Sequence, residues 1–264
     1  AGNFTDNTAH SWTVSGTGSM AISAASTITS GGKTFPGPVN FSGVGTTKTL
    51  SGNWSISGLL TIGSTGTINA TTSETLTCSG ITVSNNLSTG TAKIVLSGGI
   101  WSGAGTLYND LDIAGNVTVS GGVFFGSSHI LTYVSGTVTT TSSTLQVQVT
   151  GVTLNTAGIS WNNVTLGSTS ITYTINSLLT ITGTLTFPNT TNVTFAGTSG
   201  WTAGTISNPS TGATTVTLKN GIIYTITTAF NAFNSRTGGI LVFTSDDGTL
   251  TATLILNREA TCNV

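Results

Sequence analysis

The chain has 264 residues, enough for one elongated all-β domain or two compact ones, and only 5% of them are charged. The six cations and seven anions give a net charge of −1 and form no basic stripe, which argues against a nucleic-acid partner. No apolar run is long enough to cross a bilayer as a helix, which argues against membrane insertion.

Short strands are predicted from the first residues onward. The signature apolar-x-apolar-x-Gly recurs along the chain, and such alternation is typical of a half-buried β-strand because successive side chains point to opposite faces. The alternating residues are mostly β-branched or aromatic, and the best helical candidate is a turn or two at AFNAFNSR, residues 229–236. The copies are WTVSG (12–16), VNFSG (39–43), LTCSG (76–80), IVLSG (94–98), LDIAG (111–115), VQVTG (147–151) and VTFAG (193–197).

A longer repeat contains this signature. WSISGLLTI (54–62), VTVSGGVFF (117–125) and LTITGTLTF (179–187) begin 63 and then 62 residues apart. If three coils fill that interval, each has about 21 residues, a usual length for one turn of a β-solenoid. We therefore predict an all-β, parallel β-helix-like rod, with ordinary hairpin turns as the alternative. The predicted inward side chains are Ile56, Leu60, Val119, Val123, Ile181 and Leu185.

The sequence pattern changes near residue 200. Residues 1–200 carry the solenoid pattern. Residues 201–264 contain longer strands, a higher density of charged residues, and the turn sequences Lys219-Asn220-Gly221 and Asp246-Asp247-Gly248. We place a soft boundary there and allow an antiparallel C-terminal part. Because the chain starts AGNFTDN, without an initiator Met or leader, and stops in a strand-like pattern, we expect a segment of a longer protein.

Carboxylates are the first candidates for catalysis, because cleavage of a glycosidic bond usually needs two of them. Asp110 and Asp112 lie two apart and share a face, but charge on a solvated strand edge explains them as well. Asp246 and Asp247 are predicted to lie in a turn, where their side chains accept hydrogen bonds from the nearby backbone. Glu74 and Glu259 are isolated, so we assign no catalytic residue.

The remaining titratable residues point to no cofactor or metal. His10 and His129 have no further ligand at the spacing that a metal site needs. Cys78 and Cys262 read as small buried hydrophobes. Asn-x-Ser/Thr triplets, among them those at Asn40, Asn53, Asn116, Asn163 and Asn192, would carry glycans in an archaeal or eukaryotic surface protein.

Aromatic residues give the best binding candidates, since exposed Trp and Tyr rings stack on sugars. Five tryptophans recur along the chain, and Trp54 occupies a core position of the repeat, which favours core filling there. Trp161 and Tyr108, each before an Asn-rich corner, are better placed for binding. The candidate binding residues are Trp161, Tyr108, Asp110 and Asp112.

Four long stretches resemble the repetitive, Thr- and Gly-rich virion proteins of tailed bacteriophages, which are tail-fibre, tailspike or capsid-fibre components. They are GGKTFPGPVNFSG with KTLSGNWSISGLLTI, WSGAGTLYNDLDIAGNVTVSGGVFF, GISWNNVTLGSTSITYTINSLLTITGTLTF, and TLKNGIIYTITTAFNAF with LVFTSDDGTLTATLIL and the final NV. The resemblance covers nearly the whole chain but lies in repetitive sequence, so no catalytic residue carries over.

The resemblance implies a non-enzymatic fibre or spike in the virion that contributes to host attachment. Its partners would be further copies of the chain, with a trimer favoured, other virion proteins and a host-surface glycan. Two alternatives stay open. One is an adhesin or filament subunit on the surface of a bacterium or archaeon, and the other is a polysaccharide-cleaving tailspike.

Overall fold

In a computed structural model the chain is all-β, and its described residues contain no helix long and apolar enough to cross a membrane. The predicted helical turn is wrong at residues 229–231, which belong to a strand, and its remainder lies outside the described residues. The structure describes residues 4–5, 18–63, 65–86, 89–126, 128–147, 149–167, 170–188, 192–209, 213–231, 241–247, 253–256 and 261–262.

The chain divides into two compact units, Ala1–Thr139 and Thr140–Val264. The first unit contains β1 (Phe4–Thr5), β2 (Met20–Ile22), β3 (Ser26–Thr29), β4 (Thr34–Phe35), β5 (Val39–Phe41), β6 (Thr46–Leu50), β7 (Trp54–Ile56), β8 (Leu60–Ile62), β9 (Gly66–Ala70), β10 (Thr75–Cys78), β11 (Ile81–Val83), β12 (Lys93–Ser102), β13 (Thr106–Leu107), β14 (Leu111–Ser120), β15 (Gly122–Phe125), β16 (Ile130–Tyr133) and β17 (Val138–Thr139).

The second unit contains β18 (Thr144–Val147), β19 (Val152–Asn155), β20 (Ser160–Trp161), β21 (Asn163–Leu166), β22 (Ile171–Ile175), β23 (Leu179–Thr186), β24 (Asn192–Gly197), β25 (Trp201–Ser207), β26 (Thr214–Leu218), β27 (Ile223–Asn231), β28 (Leu241–Ser245), β29 (Thr253–Leu256) and β30 (Thr261–Cys262). The predicted boundary near residue 200 falls between β24 and β25. Strand β25 pairs with β23, so strands from both sides of residue 200 share a sheet.

The first unit is a parallel β-solenoid. Val39 pairs with Leu60 and Leu60 with Ile81, so consecutive partners are separated by the turn length that the repeat predicts. A second stack of strands runs β4, β7, β10, β12, β14 and β16, and a third runs β1, β3, β6 and β9. The predicted fold class is confirmed. The predicted turn length is confirmed in the stack that contains Val39, Leu60 and Ile81.

The second unit repeats this architecture. Val164 pairs with Leu185 and Leu185 with Ile206, while β19, β22, β24, β26 and β28 form the other stack. The allowance for an antiparallel C-terminal part is wrong for the described strands, since β28 and β29 pair in parallel with β26 and β27. The Lys219-Asn220-Gly221 turn joins β26 to β27, which lie in different sheets, and therefore makes a corner of the solenoid rather than a hairpin.

The long repeat does not mark equivalent places in the fold. Leu60, Ile81, Trp101 and Val119 stack in successive turns of the first unit. The second half of the copy at 54–62 therefore lies in line with the first half of the copy at 117–125. The cause is turn length, because the turn from Ile81 to Trp101 and the turn from Trp101 to Val119 are both shorter than the turn before them.

Close packing between turns explains the glycine at two of the repeated positions. A Cβ on Gly115 would overlap the carbonyl oxygen of Ser97, and one on Gly183 would overlap that of Asn162. Neither glycine has a positive φ. Close approach of the preceding turn, rather than left-handed backbone, therefore excludes a side chain at both corners.

The interior is mostly apolar in both units. The six side chains predicted to point inward are all buried, as are most residues that alternate with outward Thr and Asn. In the second unit the ring of Phe195 lies among four others. The centroid distances are 5.9 Å to Tyr224, 6.2 Å to Tyr173, 6.3 Å to Trp201 and 6.5 Å to Phe187. Burial of this apolar surface is the main stabilising force in each unit.

Candidate functional site

The predicted carboxylates stand on the outer surface of the first unit, at and after the corner that precedes β14. Leu111 and Ile113 are buried, whereas Tyr108, Asp110 and Asp112 alternate with buried residues and stay partly exposed. The two aspartates therefore share one face, as predicted from their spacing, and Tyr108 precedes them at the corner that joins β13 to β14. We use the name Tyr108 face for the set of Tyr108, Asp110, Asp112, Lys93 and His129. Lys93 and His129 lie on the turns adjacent to the two aspartates.

Asp110 is bound to the following turn of the solenoid. Its Oδ1 accepts a hydrogen bond from the backbone N–H of Ile130 at 2.9 Å and lies 3.2 Å from Nδ1 of His129. The Asp110 side chain is 38% exposed, whereas His129 is buried. The carboxylate thus fixes the corner before β16 and still reaches the surface.

Asp112 is paired with a cation on the preceding turn. Nζ of Lys93 donates to Oδ2 of Asp112 at 3.2 Å, and the two side chains are 44% and 20% exposed. Within the sheet, Asp112 lies between Val95 of β12 and Thr132 of β16. The explanation that this carboxylate protects a strand edge is therefore wrong, because β14 is paired on both sides at Asp112.

Asn109 anchors this corner from inside. Its side chain is fully buried, and Nδ2 donates to the carbonyl oxygens of Ile68 and Ala92 at 2.9 and 2.8 Å. Both acceptors belong to earlier turns of the stack. Buried hydrogen bonds of this kind hold the backbone of residues 108 to 110 in one conformation, which orients the outward side chains on either side of Asn109.

The tryptophans serve the interior. Trp54, Trp101, Trp161 and Trp201 are buried, and Trp12 lies outside the described residues. Core filling at Trp54 is confirmed. Trp161 is 0% exposed, which leaves its ring no face on which a sugar could stack. Tyr108 is therefore the candidate aromatic residue that reaches the surface.

The second unit holds another acidic corner. Nζ of Lys219 donates to Asp246 Oδ2 at 2.8 Å, and the N–H of Asn220 donates to Oδ1 at 2.7 Å. These bonds, the Lys219 bond above all, lower the pKa of Asp246. As predicted, Asp246 lies in a turn. Its carboxylate also links this turn to the preceding turn of the solenoid by accepting hydrogen bonds from Lys219 and Asn220.

Two further titratable residues, Glu74 and Cys78, have purely structural surroundings. Glu74 accepts bonds from Thr71 Oγ1 and the N–H of Thr72, which lower its pKa to about 2. Cys78 is buried, and desolvation raises the pKa of its thiol to about 12, as expected for a small hydrophobe. His10, Glu259 and the side chain of Cys262 lie outside the described residues.

Three of the asparagines in glycosylation triplets serve as corner residues. Oδ1 of Asn53, Asn116 and Asn163 accepts the backbone N–H of Thr75, Thr137 and Thr184 respectively, at 2.9 Å in each case. Each bond links one turn to the next. The high Asn content of the sequence therefore has a structural cause at these positions.

Sequence reasoning missed the partners of the two aspartates. Lys93 and His129 lie 19 residues from Asp112 and Asp110 respectively. That separation is close to one turn, so the turn length inferred from the repeat could have paired them. In the described residues, no group of three or more His, Cys, Asp or Glu side chains is placed to hold a metal ion.

The Tyr108 face can accept and donate hydrogen bonds beside an aromatic ring. Both aspartates are already engaged by neighbouring turns, so the arrangement suits binding better than proton transfer. Comparison with known proteins finds no matching family model, no similar curated protein and no similar solved structure.

Proposed function

We propose that the chain is a non-enzymatic structural and adhesive component of a tailed-bacteriophage virion, part of a fibre or spike that contributes to host attachment. The observation that carries the proposal is the parallel β-solenoid of both units, combined with the resemblance of the repetitive sequence to such virion proteins. A solenoid displays a long, regular outer surface on a packed interior, which is what an attachment fibre requires.

The same proposal includes self-association, with three copies favoured, and contact with other virion proteins in an extracellular particle. Low charge supports association, because 5% charged residues provide little repulsion between copies. Multi-angle light scattering on the purified chain tests this step. We expect a trimer or a larger polymer, and a monomer that persists at micromolar concentration would contradict it.

Immuno-electron microscopy tests the place of the protein. An antibody raised against the purified chain is applied to virions from the source sample, and to cells from the same sample. We expect label on tail or capsid fibres. Label on cell envelopes instead would replace the virion component by a cellular adhesin or filament subunit.

A chemical assay tests the non-enzymatic part. The purified chain is incubated with bacterial surface polysaccharides, and new reducing ends are measured over time. We expect binding without cleavage, since Asp110 and Asp112 are each held by a hydrogen-bonding partner on another turn. Release of reducing ends that disappears in a double Asp110→Asn, Asp112→Asn variant would establish a polysaccharide-cleaving tailspike.

A further inference from the structure

Tyr108 occupies a corner that is shaped to present its ring. Residue 108 lies beside Gly126 of the next turn, since Leu107 pairs with Phe125. A Cβ on Gly126 would overlap Cγ, Cδ1 and Cε1 of the Tyr108 ring, so the ring lies directly against the glycine backbone. Because Tyr108 is only half-buried, its exposed part faces away from Gly126.

The preceding turn passes the Tyr108 corner at Thr89 and Gly90. The N–H of Gly90 donates to the carbonyl oxygen of Tyr108 at 2.9 Å. This bond places Gly90 level with Asn109, and Thr89, whose side chain is exposed, level with Tyr108. The ring is held against the backbone of Gly126 and stays partly exposed, which is the form of a stacking platform.

Polar groups of both kinds lie next to this platform. Asp110 follows two residues later, and its Oδ2 has no partner among the described residues. The Lys93 side chain is 44% exposed, and its ammonium uses one of its three N–H donors on Asp112. An aromatic face is thus combined with a free carboxylate oxygen and two further N–H donors.

We propose that the Tyr108 face is a binding site for a neutral carbohydrate, with one pyranose ring stacked on Tyr108 and its hydroxyls bonded to Asp110 and Lys93. A sugar presents an apolar C–H face and hydroxyls that both donate and accept, which matches this set of groups. Two carboxylates against one ammonium disfavour a phosphate or other anion. This inference rests on the proposed adhesive function and names its ligand class and surface.

Three variants of the full chain and one control test the site on an array of bacterial surface polysaccharides and their neutral oligosaccharides. Tyr108→Leu removes the platform, Tyr108→Phe keeps the ring, and Asp110→Asn keeps an oxygen for Ile130 while removing the charge. Tyr133→Leu is the matched control, because Tyr133 is also half-buried in the first unit and its hydroxyl donates to Gly136.

We expect the wild-type chain to bind at least one neutral glycan, and Tyr108→Leu to weaken that binding about tenfold or more. Tyr108→Phe and Tyr133→Leu should bind as wild type, and Asp110→Asn should bind more weakly. Thermal unfolding of each variant, monitored by circular dichroism, shows whether the fold is kept. A folded Tyr108→Leu variant that binds as wild type would overturn the site and leave the adhesive function standing.

Adhesion to intact bacteria separates the remaining outcomes. Periodate, which oxidises sugar diols on the cell surface, should abolish binding of the wild-type chain, whereas protease treatment of the cells should not. Adhesion that resists periodate but is lost after protease would overturn the carbohydrate site in favour of a protein receptor. Absence of binding to glycans and to cells alike would overturn the adhesive function together with the site.

Discussion

The two units share an interior pattern, and one outward column of the first unit differs from one outward column of the second. In the first unit one outward column contains Val95, Asp112 and Thr132 on consecutive turns, with Lys93 beside it. In the second unit the column formed by Thr172, Thr194, Thr217 and Thr244 carries hydroxyls alone. Strands with the same parallel pairing therefore accept an ion pair in one column and a threonine ladder in another.

The difference separates what the fold requires from what it permits. Inward positions favour apolar side chains because they fill a closed interior, whereas outward positions need only be compatible with a strand. Outward side chains that depart from Thr, Ser and Asn, such as Tyr108 and Asp110, are thus not demanded by the architecture. These departures are where specific binding is to be sought in a solenoid of this kind.

The largest expected effect tests the interior pattern shared by the units. Leu185→Asp in the second unit and Leu60→Asp in the first should each lower the free energy of unfolding by about 3–5 kcal/mol, because both side chains are 0% exposed. The neighbouring outward changes Thr186→Asp and Thr61→Asp should cost less than about 1 kcal/mol. Denaturant titration measures all four, and equal losses for inward and outward changes would refute the register.

A second prediction distinguishes the two interiors. Phe195 lies among four aromatic rings, the nearest being Tyr224 with centroids 5.9 Å apart, whereas Phe41 stacks with Trp54 at 6.4 Å. Phe195→Leu should therefore destabilise the protein by about 1–2 kcal/mol more than Phe41→Leu, because more ring pairs are lost. Chemical denaturation of the two variants measures this difference. A larger loss of stability for Phe41→Leu would contradict the prediction that the aromatic cluster around Phe195 stabilises the protein more than the Phe41–Trp54 pair does.

Most of the fold could be predicted because alternation reports directly which side of a strand is buried. Lys48 shows that the rule holds even for a charged residue. It alternates with Leu50, which is buried, so its inward place is readable from the sequence. The side chain is 2% exposed, its Nζ donates to Ala24 O at 2.8 Å, and burial lowers its pKa.

The equivalence of the long repeats could not be predicted, because sequence similarity does not count the residues consumed at corners. The turns that separate Leu60 from Val119 differ in length, and this variation moves similar sequence to different faces. For the candidate site, spacing correctly placed Asp110 and Asp112 on one face. Burial of Trp161 could not be predicted, since a Trp near a corner fits an inward or an outward position equally well.

A third and smaller effect probes the difference between the outer surfaces. Asp112→Asn removes the ion pair with Lys93, and we expect a loss below about 1 kcal/mol because both side chains are partly exposed. Salt should reduce the effect, since it screens exposed charges. Thr217→Val, which removes a 3.2 Å hydroxyl contact with Thr244, should show no such salt dependence. Denaturant titration of both variants at low and at molar salt measures the two salt dependences. An Asp112→Asn effect that does not change with salt would contradict the prediction.

The smallest effect compares an acidic corner in each unit as the pH is lowered. Hydrogen bonds from Thr71 and Thr72 lower the pKa of Glu74 from 4.5 to about 2, and the bond from Lys219 lowers the pKa of Asp246 below its ordinary 3.8. A folded-state pKa below the unfolded value stabilises the fold above the unfolded pKa, and this stabilisation is lost as the pH falls through the folded pKa. Wild type should therefore lose part of its thermal stability between pH 4.5 and about 2, and Glu74→Gln should lose less over that window.

Salt separates the causes of the two lowered pKa values. The donors to Glu74 are neutral, so its carboxyl titration, followed by carbon-detected NMR, should be insensitive to salt. The main donor to Asp246 is the Lys219 ammonium, whose attraction is screened at the surface, so the pKa of Asp246 should move toward its ordinary value at molar salt. Equal salt responses of the two carboxyls would show that the Lys219 ammonium does not control Asp246.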